Sequence, residues 1–269
     1  MTNNRKNETD LAIANKSTKK NKFKFNDFIY KLKLFFRRKT KAFFILFRIG
    51  IVFKFLSKPL KLVAYLIDFS YWANKQKNVE FNDFLTLKFI PNARYELYKF
   101  LIEKEHLNSE PINYLEFGVA SGFSFRWWLD NIKHSDSRFY GFDTFEGLPE
   151  NWGLYKKGDM TPDTIPQFSD PRAVLIKGLF QDTLFDFLRS FPNDRRKVIN
   201  MDADLYSSTI FVLTTLAPFL RKGDIIIFDE FGSPLHEFRA FVDFANSFYI
   251  EYQTLGAVNN FLQIAVMIK

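Results

Sequence analysis

The chain of 269 residues contains no cysteine. Disulfide bonds, thiolate zinc sites and thiol nucleophiles are therefore excluded. A reducing compartment fits this absence, and the expected location is cytoplasmic. Histidine is almost as scarce: His106, His134 and His236 are the 3 present, too few for histidine-rich metal chemistry. No uncharged apolar run reaches the roughly 18–20 residues that cross a bilayer. Arg48 and Lys54 interrupt the best stretch, Ala42–Phe55. No apolar segment closely follows the first Met, so no cleaved leader is expected. The glycine fingerprint of dinucleotide folds and the phosphate-cradling loop ending in Gly-Lys-Ser/Thr are both missing.

What is there is an ordinary globular balance, 47% hydrophobic and 25% charged, which excludes a wholly disordered or low-complexity chain. The net charge of +8 conceals an asymmetry. Residues 1–75 hold 18 Lys+Arg against 4 Asp+Glu, a net +14, and residues 76–269 hold 20 against 26, a net −6. A basic front thus precedes a mildly acidic body. Residues 1–24 are polar and rich in Lys and Asn, and a disordered basic tail is expected there. Residues 25–75 read as a basic amphipathic helical extension. Arg37, Lys41 and Arg48 share one helical face, and Lys54, Lys58 and Lys61 another, with Pro59 marking a break or kink. Phe43, Phe44, Leu46, Phe47, Ile51 and Phe55 lie opposite. Such a segment suits packing on the domain or on a dimer mate. It also suits an anionic membrane surface, which would make the protein peripheral on the inner membrane face. Nucleic acid is an unlikely partner, because no recognition motif accompanies the charge.

From residue 112 short apolar runs alternate with helix-length segments. The runs are Asn113–Gly118, Arg138–Asp143, Ala173–Gly178, Val198–Asp202, Asp224–Asp229, Ile250–Leu255 and Leu262–Ile268. Helices are expected at about Ser121–Lys133, Gln181–Ser190, Ser207–Leu220 and Leu235–Ser247, with more helix over 76–110. This alternation means βαβ units, an α/β fold and a mostly parallel sheet covered on both faces. The last two runs are joined by Gly256–Asn260, too short for a crossover helix, so an antiparallel hairpin is expected at one sheet edge.

Open α/β sheets bind ligands outside the carboxyl ends of their strands. The first strand ends in NYLEFGVASGFS. Gly118 and Gly122 let the backbone approach a ligand closely, and Glu116 can reach toward the crevice. The second ends in YGFDTFEGLPE, with Asp143 where a carboxylate accepts ribose hydroxyls or caps a helix. The third ends in IKGLFQDTL, where Asp182 either meets an adenine amino group or caps the helix. The fourth and fifth end in INMDADLYSST and IIIFDEF, gathering Asp202, Asp204, Asp229 and Glu230. Clustered carboxylates repel unless a cation sits among them. Oxygen ligands without His or Cys point to Mg²⁺, Mn²⁺ or Ca²⁺; the alternative is helix caps and solvated acids.

Taken together, EFGVASGFS, FDTFEGLPE, GLFQDTL, MDADLYSST and IIIFDEF resemble the macrocin O-methyltransferase (TylF-type) family of class I S-adenosylmethionine-dependent methyltransferases. The resemblance covers about 112–247. It implies a Rossmann-like, doubly wound seven-stranded sheet with an antiparallel edge strand, and a methyltransferase domain over 76–269. It implies S-adenosylmethionine held by Gly118, Val119, Ala120, Ser121 and Gly122 with Glu116, ribose on Asp143 beside Thr144 and Phe145, and adenine near Gly178, Phe180 and Asp182. It also implies Mg²⁺ on Asp202, Asp229 and Glu230. Glu230 stands where the family has Asp, and the family's basic His has no counterpart over 147–170.

The implied reaction is O-methylation of a small hydroxylated acceptor, a sugar, a glycosylated small molecule or a lipid-linked glycan, with the metal lowering the hydroxyl pKa. Asp202, Asp204 and His236 are the catalytic candidates, Asp204 or His236 accepting the proton. The competing readings are a non-catalytic cofactor-binding or interaction protein and, last, a nucleic-acid methyltransferase. Family members often form homo-oligomers.

Overall fold

The computed structural model describes residues 26–76 and 79–269. The tail expected over 1–24 lies outside the described residues. The chain divides into two compact units, the first ending at Leu60 and the second running Lys61–Lys269.

In the first unit, helix α1 covers 26–46, and a turn follows in which Arg48 adopts a left-handed conformation. A single helical turn, α2 (Ile49–Val52), and a 3-10 turn (Lys54–Leu56) come next. Helix α3 (Ser57–Lys75) carries Pro59 in its first turn, where a missing N–H costs nothing. No residue of α2 or of the 3-10 turn is buried, and no helix among the described residues is long and apolar enough to cross a membrane.

In the second unit, the end of α3 inserts Trp72 into the core. Its ring lies 4.9 Å from that of Phe231, and its Nε1 donates to the Tyr252 hydroxyl at 2.9 Å. The elements that follow are β1 (Phe81–Asn82), α4 (Ala93–Lys104), β2 (Ile112–Phe117), α5 (Phe123–Asn131), β3 (Arg138–Asp143), β4 (Ala173–Lys177), α6 (Phe180–Ser190), β5 (Arg196–Met201), α7 (Tyr206–Leu216), β6 (Ile225–Phe228), α8 (Glu237–Ser247), β7 (Tyr252–Val258) and β8 (Gln263–Ile268). The sheet order is β1-β7-β8-β6-β5-β2-β3-β4. Every residue of β2 and β6 is buried, as expected for strands covered on both faces. Side chains alternate between two cores. Leu115, Phe117, Ile199 and Phe228 face α6, α7 and α8, whereas Tyr114, Phe139, Val198 and Ile227 face α4 and α5.

The fold is the expected mostly parallel α/β sheet with its hairpin at one end. Two details were not anticipated. Within the hairpin β8 is the antiparallel strand, pairing with both β6 and β7. The two-residue β1 then pairs in parallel with β7, making the sheet eight-stranded. The chain proceeds outward from β2 to β4 and then restarts at β5 on the other side of β2. The switch point therefore lies between the carboxyl ends of β2 and β5, where ligands bind in this architecture.

Candidate active site

A cavity of about 430 Å³ opens at that switch point. Its floor is the turn after β2. Gly118 has φ +99, and a Cβ there would stand 1.8 Å from the Asp202 carbonyl oxygen. Only glycine fits both the left-handed backbone and the close approach of β5. Ala120, beside it, is also left-handed, at φ 45. The turn is anchored sideways, because the Ala120 N–H donates to Asp143 Oδ2 at 2.8 Å. The Phe145 N–H donates to Asp143 Oδ1 at 2.6 Å. Asp143 is thus fixed at the end of β3, and a carboxylate has lone pairs left for further donors.

The acids at the ends of β5 and β6 share the cavity with one basic residue, Arg94, from the first turn of α4. Its Nη1 lies 3.1 Å from Asp229 Oδ2 and 4.0 Å from Asp202 Oδ2. Burial opposes the Arg94 charge, yet Asp229 and Asp202 together hold the group more firmly protonated than a free guanidinium. Burial, followed by the neighbouring Asp229, pushes the Asp202 carboxyl well above the usual range. Asp204 is pushed up to about 7, first by burial and then by Glu230 and Asp229. It is held in a left-handed conformation at φ 56, a strain typical of functional positions.

The divalent site expected on Asp202, Asp229 and Glu230 is not assembled by these side chains. Among the described residues no three His, Asp or Glu converge in the manner of a metal cage. Arg94 occupies the approach to Asp202 and Asp229, and Glu230 instead accepts from Ser233 Oγ at 3.3 Å.

Of the residues expected to hold the cofactor, Gly118, Val119, Ala120, Ser121, Gly122, Asp143, Thr144 and Phe180 line the cavity, as do Asp202, Asp204, Asp229 and Glu230. Glu116, Phe145, Gly178, Asp182 and His236 do not. Glu116 lies behind the loop, fully buried, where it accepts from the Tyr114 hydroxyl and from Ser124 Oγ at 2.6 Å. Asp182 is exposed in the first turn of α6, a position that favours that helix's dipole. His236 stands edge-on to Trp152, with ring centroids 6.2 Å apart, and burial lowers its pKa.

Sequence reasoning missed Arg94 and the aromatic wall. Trp152 and Tyr155 stack at 5.5 Å in the loop after β3, and both line the cavity with Leu148 and Met160. The Trp in that polar loop was the available signal for the wall.

Comparison with known proteins fits this site. Residues 115–231 match the family model described as a methyltransferase domain. A curated relative from Streptomyces olivaceus, 8-demethyl-8-(2,3-dimethoxy-alpha-L-rhamnosyl)-tetracenomycin-C 4'-O-methyltransferase, is 26% identical over 57% of this chain and 66% of its own length. The chain therefore spans just under two thirds of that relative. The calicheamicin methyltransferase CalS11 superposes with a TM-score of 0.52 at 21% identity, over 66% of this chain and 80% of that one. The O-methyltransferase NovP superposes with a TM-score of 0.51 at 21% identity, over 65% and 78%. These structures share the fold. The matched stretch begins in β2 and ends just after β6, so it spans the switch point.

Proposed function

We propose that this protein is an S-adenosylmethionine-dependent O-methyltransferase acting on a hydroxyl of a sugar or a glycosylated small molecule. The observation that carries the reading is the pairing of Gly118, which leaves no room for a side chain, with Asp143, whose carboxylate is fixed by two backbone N–H groups at the mouth of the same cavity. A bare backbone turn beside an oriented carboxylate suits an adenosyl group, with the carboxylate accepting its ribose hydroxyls. When bound, S-adenosylmethionine supplies an electrophilic methyl group on sulfur.

The chain's residues then have to orient the acceptor oxygen and take its proton. Asp204 is the group on the cavity wall best suited to accept it, since it lies beyond the glycine turn on the β5 side. The Trp152 and Tyr155 rings offer flat apolar surface with polar edges, which suits one face of a sugar ring. The sugar assignment also draws on the Streptomyces relative, whose name specifies methylation at the 4' position of a rhamnosyl compound. Because Arg94 already engages the acid pair, no step is routed through a divalent cation.

The test is calorimetric binding of S-adenosylmethionine, followed by transfer of labelled methyl to a panel of glycosides and nucleotide sugars. Binding with turnover on at least one sugar supports the reading. Failure to bind the cofactor at all defeats it.

For the first unit we propose contact with an anionic bilayer surface. Phe43, Phe44 and Phe47 on α1 and the following turn are more than half exposed, and Lys41 and Arg48 flank them. Aromatics interleaved with basic residues bind such surfaces by combined burial and charge attraction.

A further inference from the structure

The cavity has a charge problem that the cofactor itself resolves. Five carboxylates line it, Asp143, Asp202, Asp204, Asp229 and Glu230, against a single basic side chain, Arg94. S-adenosylmethionine has one anionic group, the α-carboxylate at the end of its methionine tail. That group cannot rest among five acids, and Arg94 is the one wall side chain with the charge to receive it. Resting on the proposed cofactor reading, we infer that Arg94 clamps this carboxylate and is the chain's recognition residue for the amino-acid end of the cofactor.

Three observations support the assignment. Arg94 is already oriented, since Nη1 donates to Asp229 at 3.1 Å and Cζ lies 5.5 Å from the Tyr95 ring centroid. Its side chain nevertheless remains 29% exposed in the cavity wall, and among the described residues no acceptor meets Nη2. A guanidinium has five donors, so the bond to Asp229 leaves capacity for a ligand carboxylate. The amino-acid end of the cofactor is a zwitterion, and Arg94 beside Asp202 and Asp229 is its complement, with the acids facing the ammonium.

The spacing agrees as well. Asp143 ends β3, whereas Arg94 sits over the ends of β5 and β6, so β2 lies between the two sites. From β3 to β6 is three strand spacings, about 14 Å. In the covalent structure of the cofactor the ribose hydroxyls and the carboxylate likewise lie on opposite sides of the sulfonium, so Asp143 and Arg94 would hold its two ends.

The experiment compares two ligands on three proteins. The ligands are S-adenosylhomocysteine and its analogue lacking only the carboxylate, S-adenosyl-3-thiopropylamine. The proteins are wild type, Arg94→Met and Arg94→Lys, each checked for a cooperative thermal transition. Charged hydrogen bonds are worth roughly a 10- to 100-fold change in affinity. Wild type should bind S-adenosylhomocysteine at least about tenfold more tightly than the analogue. Arg94→Met should erase that preference by weakening S-adenosylhomocysteine alone, and Arg94→Lys should keep part of it. Equal loss for both ligands, or a preference that survives in Arg94→Met, overturns the clamp. If Arg94→Met fails to fold, the wild-type preference and Arg94→Lys still decide the question: no preference in wild type, or an undiminished one in Arg94→Lys, is contrary. A wild type that binds neither ligand overturns the cofactor reading itself, and the clamp with it.

Discussion

Replacing Glu116 with Gln should make the protein more stable at alkaline pH, and the gain can be calculated. Glu116 is fully buried behind the glycine turn. Burial pushes its carboxyl from 4.5 up to about 7, although Ser124 and Tyr114 hydrogen-bond it and favour the charged form. Because the folded value lies above the unfolded one, the folded state binds more protons between these limits. Stability therefore falls as pH rises through this window, and the full penalty is present above pH 7. A rise from 4.5 to about 7 corresponds to about 3 kcal/mol, most of which accrues between pH 5 and pH 8.

Gln cannot ionise, and its amide retains an acceptor for one hydroxyl and offers a donor to the other. An imperfect fit costs about 1 kcal/mol at any pH. The variant should therefore be close to wild type at pH 5 and about 2 kcal/mol more stable at pH 8. Urea unfolding followed by tryptophan fluorescence at both values measures this, with the m-value unchanged. Asp202, Asp204 and Glu237 also have raised values, so the slope of wild type alone is not diagnostic. The wild-type-minus-variant difference cancels them. A difference that shifts by less than about 1 kcal/mol between the two pH values refutes an ionisable, buried Glu116.

Gly118→Ala combines left-handed strain with a clash against the Asp202 carbonyl, so it should lose about 3 kcal/mol or more of stability and abolish cofactor binding, as thermal unfolding and calorimetry would report. Asp204→Asn should lower kcat by roughly 10²- to 10⁴-fold while leaving cofactor Kd within about twofold, a split read from steady-state kinetics beside calorimetry. Phe43→Ser, Phe44→Ser and Phe47→Ser made together should sharply reduce co-sedimentation with vesicles containing phosphatidylglycerol, and wild-type binding to those vesicles should fall as salt is raised. Wild type that ignores such vesicles at low salt counts against the membrane reading.

Most of the sheet could be read in advance because parallel strands buried on both faces appear as apolar runs. Ile225–Phe228, with three consecutive Ile, is the plainest case. The loops at the carboxyl ends were legible for a related reason: glycine and acidic residues break those runs at regular intervals. The hairpin's existence followed from its short turn, but its placement did not, since turn length specifies antiparallel pairing without saying which strand meets β6. The two-residue β1 carries no periodicity at all. Glu116 shows how attention to a loop can override a sounder rule. Alternation along β2 puts it on the same face as Tyr114, beneath α5, and the structure follows the alternation.

Arg94 was illegible for a different reason. Nothing in the run PNARYELYKF marks one arginine at the start of α4 as different from any other basic helical residue. Its meaning comes from α4 beginning above the carboxyl ends of β5 and β6, a tertiary fact without local signature. The carboxylate pattern at those strand ends did call for a positive charge, because acids crowded at one edge of a sheet are costly alone. What the pattern left open is the cation's identity, since a metal ion and a guanidinium satisfy the same electrostatic demand. They differ in what they leave available: a guanidinium held by one acid keeps donors of fixed geometry for a second carboxylate. The same crowding that suggests a bound ion from sequence therefore becomes, once Arg94 is in place, a reason to expect an amino-acid-bearing ligand.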